Sequence, residues 1–286
     1  MKHVILIPVY NDWKSLNKLL GEIDKCLKND TSIETEILII NDLSTEKFYI
    51  ENKIYSSIKK IEILNLKKNL GSQKSIATGL NYLKKLSGSF FITVMDGDGE
   101  DNPYEIKKML NEAIKYENFI ITSNRKKRRE SLLVVFLYRI HLMISFLFSF
   151  KWISFGNFTT FNSKHLEKLL SDNSSWYAHS SSVLKNCKIK RIYAKREKRY
   201  FDKSKLNMLS LMEHSLRVNA VFFPKIIINS IFYSFIILWA PKIFYLNYII
   251  IFLILIFNIL LLFIKKKHYV KDLLDLDNLI DDIKLI

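Results

Sequence analysis

Asp96-Gly97-Asp98-Gly99-Glu100-Asp101 places four acids and two glycines in six residues, directly after the run Phe90-Phe91-Ile92-Thr93-Val94-Met95. That run is aromatic and β-branched, which reads as a buried strand. The switch from apolar to acidic sets two carboxylates one residue apart just past a strand end. In open α/β sheets ligands bind at the carboxyl ends of strands. Asp96 and Asp98 can there hold a divalent cation, with a diphosphate supplying further oxygens. An acidic turn that merely ends a strand has the same look, so the reading depends on its surroundings.

Those surroundings repeat the layout. Val4 to Ile7 is a short apolar strand running through Pro8 and Val9 to the polar loop Tyr10-Asn11-Asp12. Residues 13–28 carry Leu16, Leu19, Leu20, Ile23 and Leu27 at helical spacing. Ile37 to Ile40 is a second strand, ending at Asn41-Asp42, and Ile61 to Leu66 a third. Gly71-Ser72-Gln73-Lys74 then opens a helix through Gly79-Leu80. Strands alternating with helices predict a doubly wound, mostly parallel sheet of the α/β class. Loops bearing acids or amides after three strands predict a nucleotide-binding face.

Composition adds a second requirement. The 286 residues are 49% hydrophobic yet carry a net charge of +16. A soluble enzyme rarely combines the two, and an anionic membrane surface or anionic ligand accounts for both. Nucleic acid is the rival explanation of the charge, but no such partner is expected, because there is no zinc spacing, RNP-like motif or separate basic domain. Cys26 and Cys187, far apart, imply no disulfide framework. Met1-Lys2-His3 runs straight into the first strand, so no signal peptide is expected.

Four segments together resemble family-2 glycosyltransferases. They are Pro8-Val9-Tyr10-Asn11-Asp12, Asn41-Asp42-Leu43-Ser44-Thr45-Glu46, Asn69-Leu70-Gly71 with Gly79-Leu80, and Met95-Asp96-Gly97-Asp98-Gly99-Glu100-Asp101. Their order and spacing over residues 4–105 make the resemblance specific. It implies a GT-A fold (Rossmann-like, mostly parallel sheet), a nucleotide-sugar donor, and Mg²⁺ or Mn²⁺ held at Asp98 with Asp96. By the same resemblance Asp42 contacts the base, Asp96 lies by the ribose and diphosphate, and Pro8, Tyr10, Asn11, Gly71, Lys74 and Ser204 complete the donor-binding positions. Asn41 and Leu43 depart from the Asp and Gly that the family more often has.

Two later segments narrow the resemblance to polyprenyl-phosphate sugar transferases of the dolichol-phosphate mannose synthase type. Phe155-Gly156-Asn157-Phe158 resembles their Gly-Asp-Phe-Arg segment, with Asn157 for Asp. Arg199-Tyr200-Phe201-Asp202-Lys203-Ser204-Lys205 resembles their Arg-x-x-Gly-x-Ser-Lys loop, with Asp202 for Gly. In the family that loop closes over the donor diphosphate and the acceptor phosphate. The resemblance therefore implies catalytic positions at Asp96, Asp98, Arg125, Arg199 and Lys205. Cations suit the site, since leaving diphosphate and incoming phosphate are both anionic.

The apolar segments predict how the chain meets a membrane. Leu132 to Phe150 follows the basic run Arg125-Lys126-Lys127-Arg128-Arg129 and contains Arg139 and His141, which are costly inside a bilayer. Were it to span, the nine Lys/Arg between Lys188 and Lys205 would face outside, against the positive-inside rule. It reads as an interfacial helix. Phe222 to Ala240 and Ile243 to Ile264, joined at Pro241-Lys242 and followed by Lys265-Lys266-Lys267, read as a transmembrane hairpin. The expected organisation is a cytoplasmic catalytic domain over 1–218 with the interfacial helix at 132–150, a hairpin over 219–264, and a cytoplasmic tail over 265–286. This places the protein in the inner (cytoplasmic) membrane as a multi-pass enzyme and leaves homo-oligomerisation open. In the tail, Leu273, Leu276, Ile280 and Ile283 fall on one helical face.

The function expected is inverting transfer of a sugar from a nucleotide-sugar donor to a polyprenyl (undecaprenyl) phosphate. A phosphate monoester is already largely ionised, so no general base is needed. None is evident around Trp176-Tyr177-Ala178-His179 except His179. Transfer to a sugar hydroxyl, with His179 as base, is the rival enzyme reading. A membrane scaffold without turnover is the other.

Overall fold

The structure, a computed structural model, describes residues 1–28, 32–47, 49–51, 54–125, 132–201, 208–241, 245–270 and 273–286. In chain order the elements are β1 (Lys2–Val9), α1 (Trp13–Leu27), β2 (Glu34–Asn41), β3 (Ile58–Leu66), α2 (Ser72–Lys84), β4 (Phe91–Val94), α3 (Ile106–Lys115) and β5 (Ile120–Arg125). Next come α4 (Leu132–Ser149), β6 (Phe155–Asn162), the short helices α5 (Leu166–Leu169) and α6 (Ser174–Tyr177), α7 (His179–Asn186) and β7 (Ile189–Ala194). The chain ends with α8 (Met208–Ala220), α9 (Phe223–Trp239), α10 (Leu246–Lys267), a 3₁₀ turn over Leu273–Leu279, and β8 (Ile280–Leu285). It divides into two compact units. Unit 1 comprises Met1–Arg128, Phe155–Ser204 and Asp272–Ile286, and unit 2 comprises Arg129–Ser154 and Lys205–Lys271.

Unit 1 is an α/β layer structure built on one eight-stranded sheet of order β7-β5-β6-β4-β1-β2-β3-β8. β4, β1, β2 and β3 run parallel, as do β5 and β7. β6 is antiparallel to both β4 and β5. Ile5, Ile7, Ile37 and Ile39 bury one sheet face against Leu16, Leu19, Leu20 and Ile23 of α1, so the predicted helical stripe is the core stripe. On α2, a Cβ at Gly79 would lie 2.7 Å from Leu6 Cδ1 and 2.8 Å from Ile40 Cδ1. Only glycine lets this helix come so near the central strands, and that approach brings its first turn to the strand ends.

The tail differs from its expected helix. Helical turns stop at Leu279, and Ile280–Leu285 pairs antiparallel with β3. An open strand edge offers a row of unpaired N–H and C=O groups, and the β-branched Ile280 and Ile283 suit a strand. The 3.6-residue pattern was therefore not the deciding signal.

Unit 2 is helical. α8 and α9 meet at a bend of 89°, and among the described residues one helix, α10 with 22 residues, is long and apolar enough to cross a membrane, or two if that bent pair is one span. α9 and α10 pair as a hairpin. Asn258 Nδ2 donates to Ser230 Oγ at 2.9 Å, and Asn247 Nδ2 to the Ile237 carbonyl at 2.8 Å. Lys265 Nζ, at the far end of α10, lies 5.0 Å from the ring of Phe223 at the start of α9. Most large side chains of both helices are exposed, among them Ile228, Ile231, Phe232, Phe235, Phe252 and Leu253. On α4, Phe136, Ile140, Met143, Ile144 and Leu147 are exposed, while Ser145 and Ser149 are fully buried.

Candidate active site

The site forms where β1, β2 and β4 end together. In register, Val9 lies opposite Asn41 and Leu6 opposite Val94, so the loops beginning at Tyr10, Asp42 and Met95 leave the sheet on one edge. After β4 the chain carries Asp96 and Asp98 into half-buried positions. The Glu100 N–H donates to Asp98 Oδ1 at 3.0 Å, and the Asp96 N–H donates to Asp101 Oδ2 at 3.0 Å. This acidic loop is fixed by its own backbone as well as by what lies over it.

Over it runs the segment 196–200. The Tyr200 N–H donates to the Asp98 carbonyl, and the Glu197 N–H to the Glu100 carbonyl, both at 3.0 Å. Arg196 pairs with Glu100. Gly99 has φ +83° and sits beneath the Tyr200 ring, where a Cβ would come within 2.4 Å of it, so the close approach requires glycine. Arg199 is the cation brought to the centre. It bonds Asp12 Oδ2 at 2.5 Å and Asp98 Oδ2 at 3.2 Å. Burial first, then the charge of Asp96, pushes Asp98 up to about 6.

Asp96 is reached from the other side. The β4–β6 pairing sets Val94 opposite Thr159, so two residues further on Asn157 stands beside Asp96. Asn157 Nδ2 donates to Asp96 Oδ1 at 2.9 Å, and Asn157 Oδ1 accepts from Gln73 Nε2 at 3.0 Å. Gln73 Oε1 in turn accepts from the His179 N–H at 2.8 Å. An aspartate at 157 would set a second negative charge against Asp96, whereas the amide donates to it.

The sequence model described as "Glycosyl transferase family 2" matches residues 4–184. The chain belongs to glycosyl transferase family 2. A dolichol-phosphate mannosyltransferase of Pyrococcus furiosus is 30% identical over 125 residues, 44% of this chain and 33% of that enzyme. A dodecaprenyl-phosphate galacturonate synthase of Rhizobium johnstonii is 22% identical over 130 residues, 45% of this chain and 37% of that protein. The chain thus matches little more than a third of the length of these curated relatives. Among solved structures, glucosyl-3-phosphoglycerate synthase of Mycobacterium tuberculosis, in complex with Mn²⁺, UDP-glucose and phosphoglyceric acid, aligns with a TM-score of 0.52 and 13% identity. It covers 79% of each chain, a likeness that shows the fold alone.

For this family-2 chain the site residues expected from the sequence divide three ways. Asp96, Asp98 and Arg199 come together as described. Pro8 is buried on β1, Tyr10 is exposed at its end, and Lys74 lies with Nζ 4.9 Å from the Trp176 ring. Asp42 is buried, with Oδ1 accepting from the Leu70 N–H at 2.7 Å and Oδ2 from the Gly71 N–H at 2.8 Å. It therefore clamps the Leu70-Gly71 turn to the end of β2. Burial raises its pKa despite those two N–H groups. Ser204 and Lys205 lie outside the described residues, as do 126–131 and the departure at Asp202. For Arg125 only the backbone, closing β5, is described.

His179 is fully buried. Its Nε2 lies 2.8 Å from Thr159 Oγ1, and burial lowers its pKa to about 4. It is a core histidine, removed from any acceptor in solvent. Sequence reasoning assigned no role to Asp12, Gln73 or Arg196. Asp12 stood inside a quoted motif and could have been found there. The others reach the site through long-range pairing, which leaves no local pattern.

Asp96 and Asp98 fit Mg²⁺ or Mn²⁺ as hard oxygen donors, though among the described residues no third His, Cys, Asp or Glu joins them. One or two carboxylates completed by substrate phosphates is an ordinary donor set for Mg²⁺.

Proposed function

We propose that this family-2 chain is a membrane-anchored inverting glycosyltransferase, moving a sugar from a nucleotide-sugar donor to a polyprenyl phosphate. The observation that carries the reading is the outward apolar surface of unit 2, joined in one chain to the acid-and-arginine site of unit 1. An acceptor with a long apolar tail and an anionic head calls for both. The names of the Pyrococcus and Rhizobium relatives, each acting on a polyprenyl-type phosphate, point the same way. Burial of His179 takes away the base on which transfer to a hydroxyl would depend.

The donor sits, in this reading, on the edge formed by Tyr10, Asn11, Asp42 and the first turn of α2, with Gly71 and Lys74 near its phosphates. Asp96 and Asp98 would hold Mg²⁺ or Mn²⁺, which when bound supplies neutralisation of the departing diphosphate. Asn157 orients Asp96 by donating to it. Arg199, held between Asp12 and Asp98, keeps a positive charge where phosphates meet. The acceptor phosphate oxygen attacks the anomeric carbon, and the bond to the diphosphate oxygen breaks with its electron pair. No proton moves, and the anomeric centre inverts. Arg125, Ser204 and Lys205 are assigned to the phosphates from the sequence motifs.

For the membrane, α10 spans about 33 Å at helical rise, enough for a hydrocarbon core. Lys225 and Lys265–Lys267 mark the basic, cytoplasmic end of the hairpin, and the exposed Trp239, Tyr245 and Tyr248 the opposite interface. α4 is read as interfacial and the catalytic unit as cytoplasmic, at the inner membrane.

The test is to incubate detergent-purified protein with a panel of nucleotide sugars and undecaprenyl phosphate, then examine the lipid by mass spectrometry. A new sugar on an acid-labile phosphodiester is expected. Transfer to a sugar hydroxyl, with no transfer to lipid phosphate from any donor, would overturn the reading.

A further inference from the structure

At one level of the sheet, three neighbouring strands present a row of polar side chains. Register sets Asn41 of β2 opposite Asn65 of β3, and Asn65 opposite Asp282 of β8. Asn41 Nδ2 donates to Asn65 Oδ1 at 2.7 Å, and Asn65 Nδ2 donates to Asp282 Oδ1 at 2.5 Å. The row continues into the loop after β2. Asn41 Oδ1 accepts from the Ser44 N–H at 3.0 Å, and Ser44 Oγ from the Asn11 N–H at 3.0 Å. Asn11 Oδ1 then accepts from the N–H groups of Thr45 at 2.7 Å and Glu46 at 3.0 Å.

This loop needs outside support. Asn11 and Leu43 both hold positive φ, at 49° and 55°, a region that non-glycine residues enter only when their surroundings fix them. Each amide in the row has its donor and acceptor ends set by its neighbours. A carboxylate at 282 accepts only, so Asn65 must turn its N–H₂ toward β8 and its oxygen toward β2. Position 41 must therefore donate, which asparagine does and aspartate does not. An acid at 41 would keep the Ser44 bond but face the Asn65 oxygen with another oxygen.

We propose that Asp282, on the strand that follows the apolar hairpin, is a positioning residue for the donor site. Through Asn65 and Asn41 it sets the loop 42–46 on which the nucleotide rests. The inference builds on the donor-site reading above. It makes β8 a support of the nucleotide pocket, acting from two strands away from β2.

Polarity reversal tests it. UDP and GDP binding to the full chain in detergent is measured by calorimetry, with melting temperature alongside. Asn41→Asp should weaken binding of the preferred nucleotide roughly tenfold, the loss of about one buried hydrogen bond. In an Asp282→Asn background the same change should restore affinity to within about twofold, because Asn65 can then flip and both of its bonds re-form with reversed direction. Asp282→Asn alone should bind nearly as the natural chain, since its amide oxygen still accepts. A merely structural edge contact would not give this rescue. Asn41→Asp binding as tightly as the natural chain, or an equal loss in both backgrounds at unchanged melting temperature, overturns the coupling. A natural chain that melts normally and binds neither nucleotide, nor any other nucleoside diphosphate, overturns the donor reading and this inference with it.

Discussion

In unit 1, Ile5, Ile7, Leu16, Leu20 and Ile39 have no exposed surface, while in unit 2 Ile228, Ile231, Phe232, Phe235 and Phe252 face outward. Both units bury polar residues, among them His3, Gln73 and Thr159 in unit 1. Unit 2 buries Ser145, Ser149, Ser230 and Asn219, and its asparagines bond across or along helices. Apolar content alone does not separate the two regions. What separates them is which way the large apolar side chains face, inward in unit 1 and outward in unit 2. On the proposed membrane reading, the outward apolar surface of the hairpin is the part that would meet hydrocarbon.

Acid should break this contrast most strongly. His3 and His179 are buried in unit 1, and burial lowers them from 6.5 to about 3 and about 4. Their folded values lie below the unfolded value, so the unfolded chain takes up these protons first. The two histidines' contribution is whole above pH 6.5 and is lost as pH falls, by on the order of 5 kcal/mol at about pH 4, offset in part by Asp98 and Asp42, whose raised values favour the folded state in acid. α9 and α10 contain no histidine or carboxylate. Circular dichroism in detergent should therefore lose the sheet and keep the hairpin helices, and His3→Phe should remove its share of the slope. A sheet unmoved between pH 7 and pH 4 would contradict the assignment.

Asp98→Asn is the next largest change. Turnover should fall by about a hundred- to a thousandfold with membrane fractionation unaltered, since only the unit 1 site is touched. Near-normal turnover would remove Asp98 from the site. In unit 2, Phe232→Arg should cost about 2.5–3.5 kcal/mol of insertion, seen as protein lost from alkali-washed membranes. Tyr193→Arg in unit 1, at a position at least as exposed, should change fractionation little. Equal behaviour of the pair would abolish the distinction drawn between the units.

Two smaller effects sharpen it. Asn157→Asp replaces a donor to Asp96 with a like charge and should raise the donor KM about tenfold; an unchanged KM would mean that Asp96 needs no orienting. Asn258→Leu removes the bond to Ser230 and should weaken the hairpin by only about 0.6 kcal/mol, measured by unfolding in mixed detergent. A loss several times larger would mean that this bond holds more of the hairpin than its partner Ser230 suggests.

Much of unit 1 was legible because its signals are local. Alternating strands and helices, the leucine stripe of α1 and the acids after β4 each declare themselves within a dozen residues. The candidate site was legible in placement, since Asp96, Asp98 and Asp42 do lie in loops that directly follow strands. Pairings across the chain were not, such as Arg199 with Asp12 or Gln73 with Asn157, because no spacing encodes them. β8 was misread for a related reason. Leu273, Leu276, Ile280 and Ile283 satisfy a helical period, and only the open edge of β3, some two hundred residues earlier, converts the end of that stretch to a strand. The clamp made by Asp42 was also hidden, since a sequence gives a carboxylate but not the N–H groups it will meet.

The return of β8 to the sheet bears on the order of synthesis. Asn65 and Asp282 are 217 residues apart, and both apolar hairpin helices are made between them. While a ribosome is still producing α9 and α10, β3 remains an uncovered edge. The donor loop at the end of β2 then lacks its far support. On the donor-site proposal, the pocket is thus finished last, after the two apolar helices have left the ribosome, so a nascent chain stalled before them carries Asp96 and Asp98 without a settled pocket. Closing so distant a pair is slow, and an uncovered strand edge is prone to wrong partners.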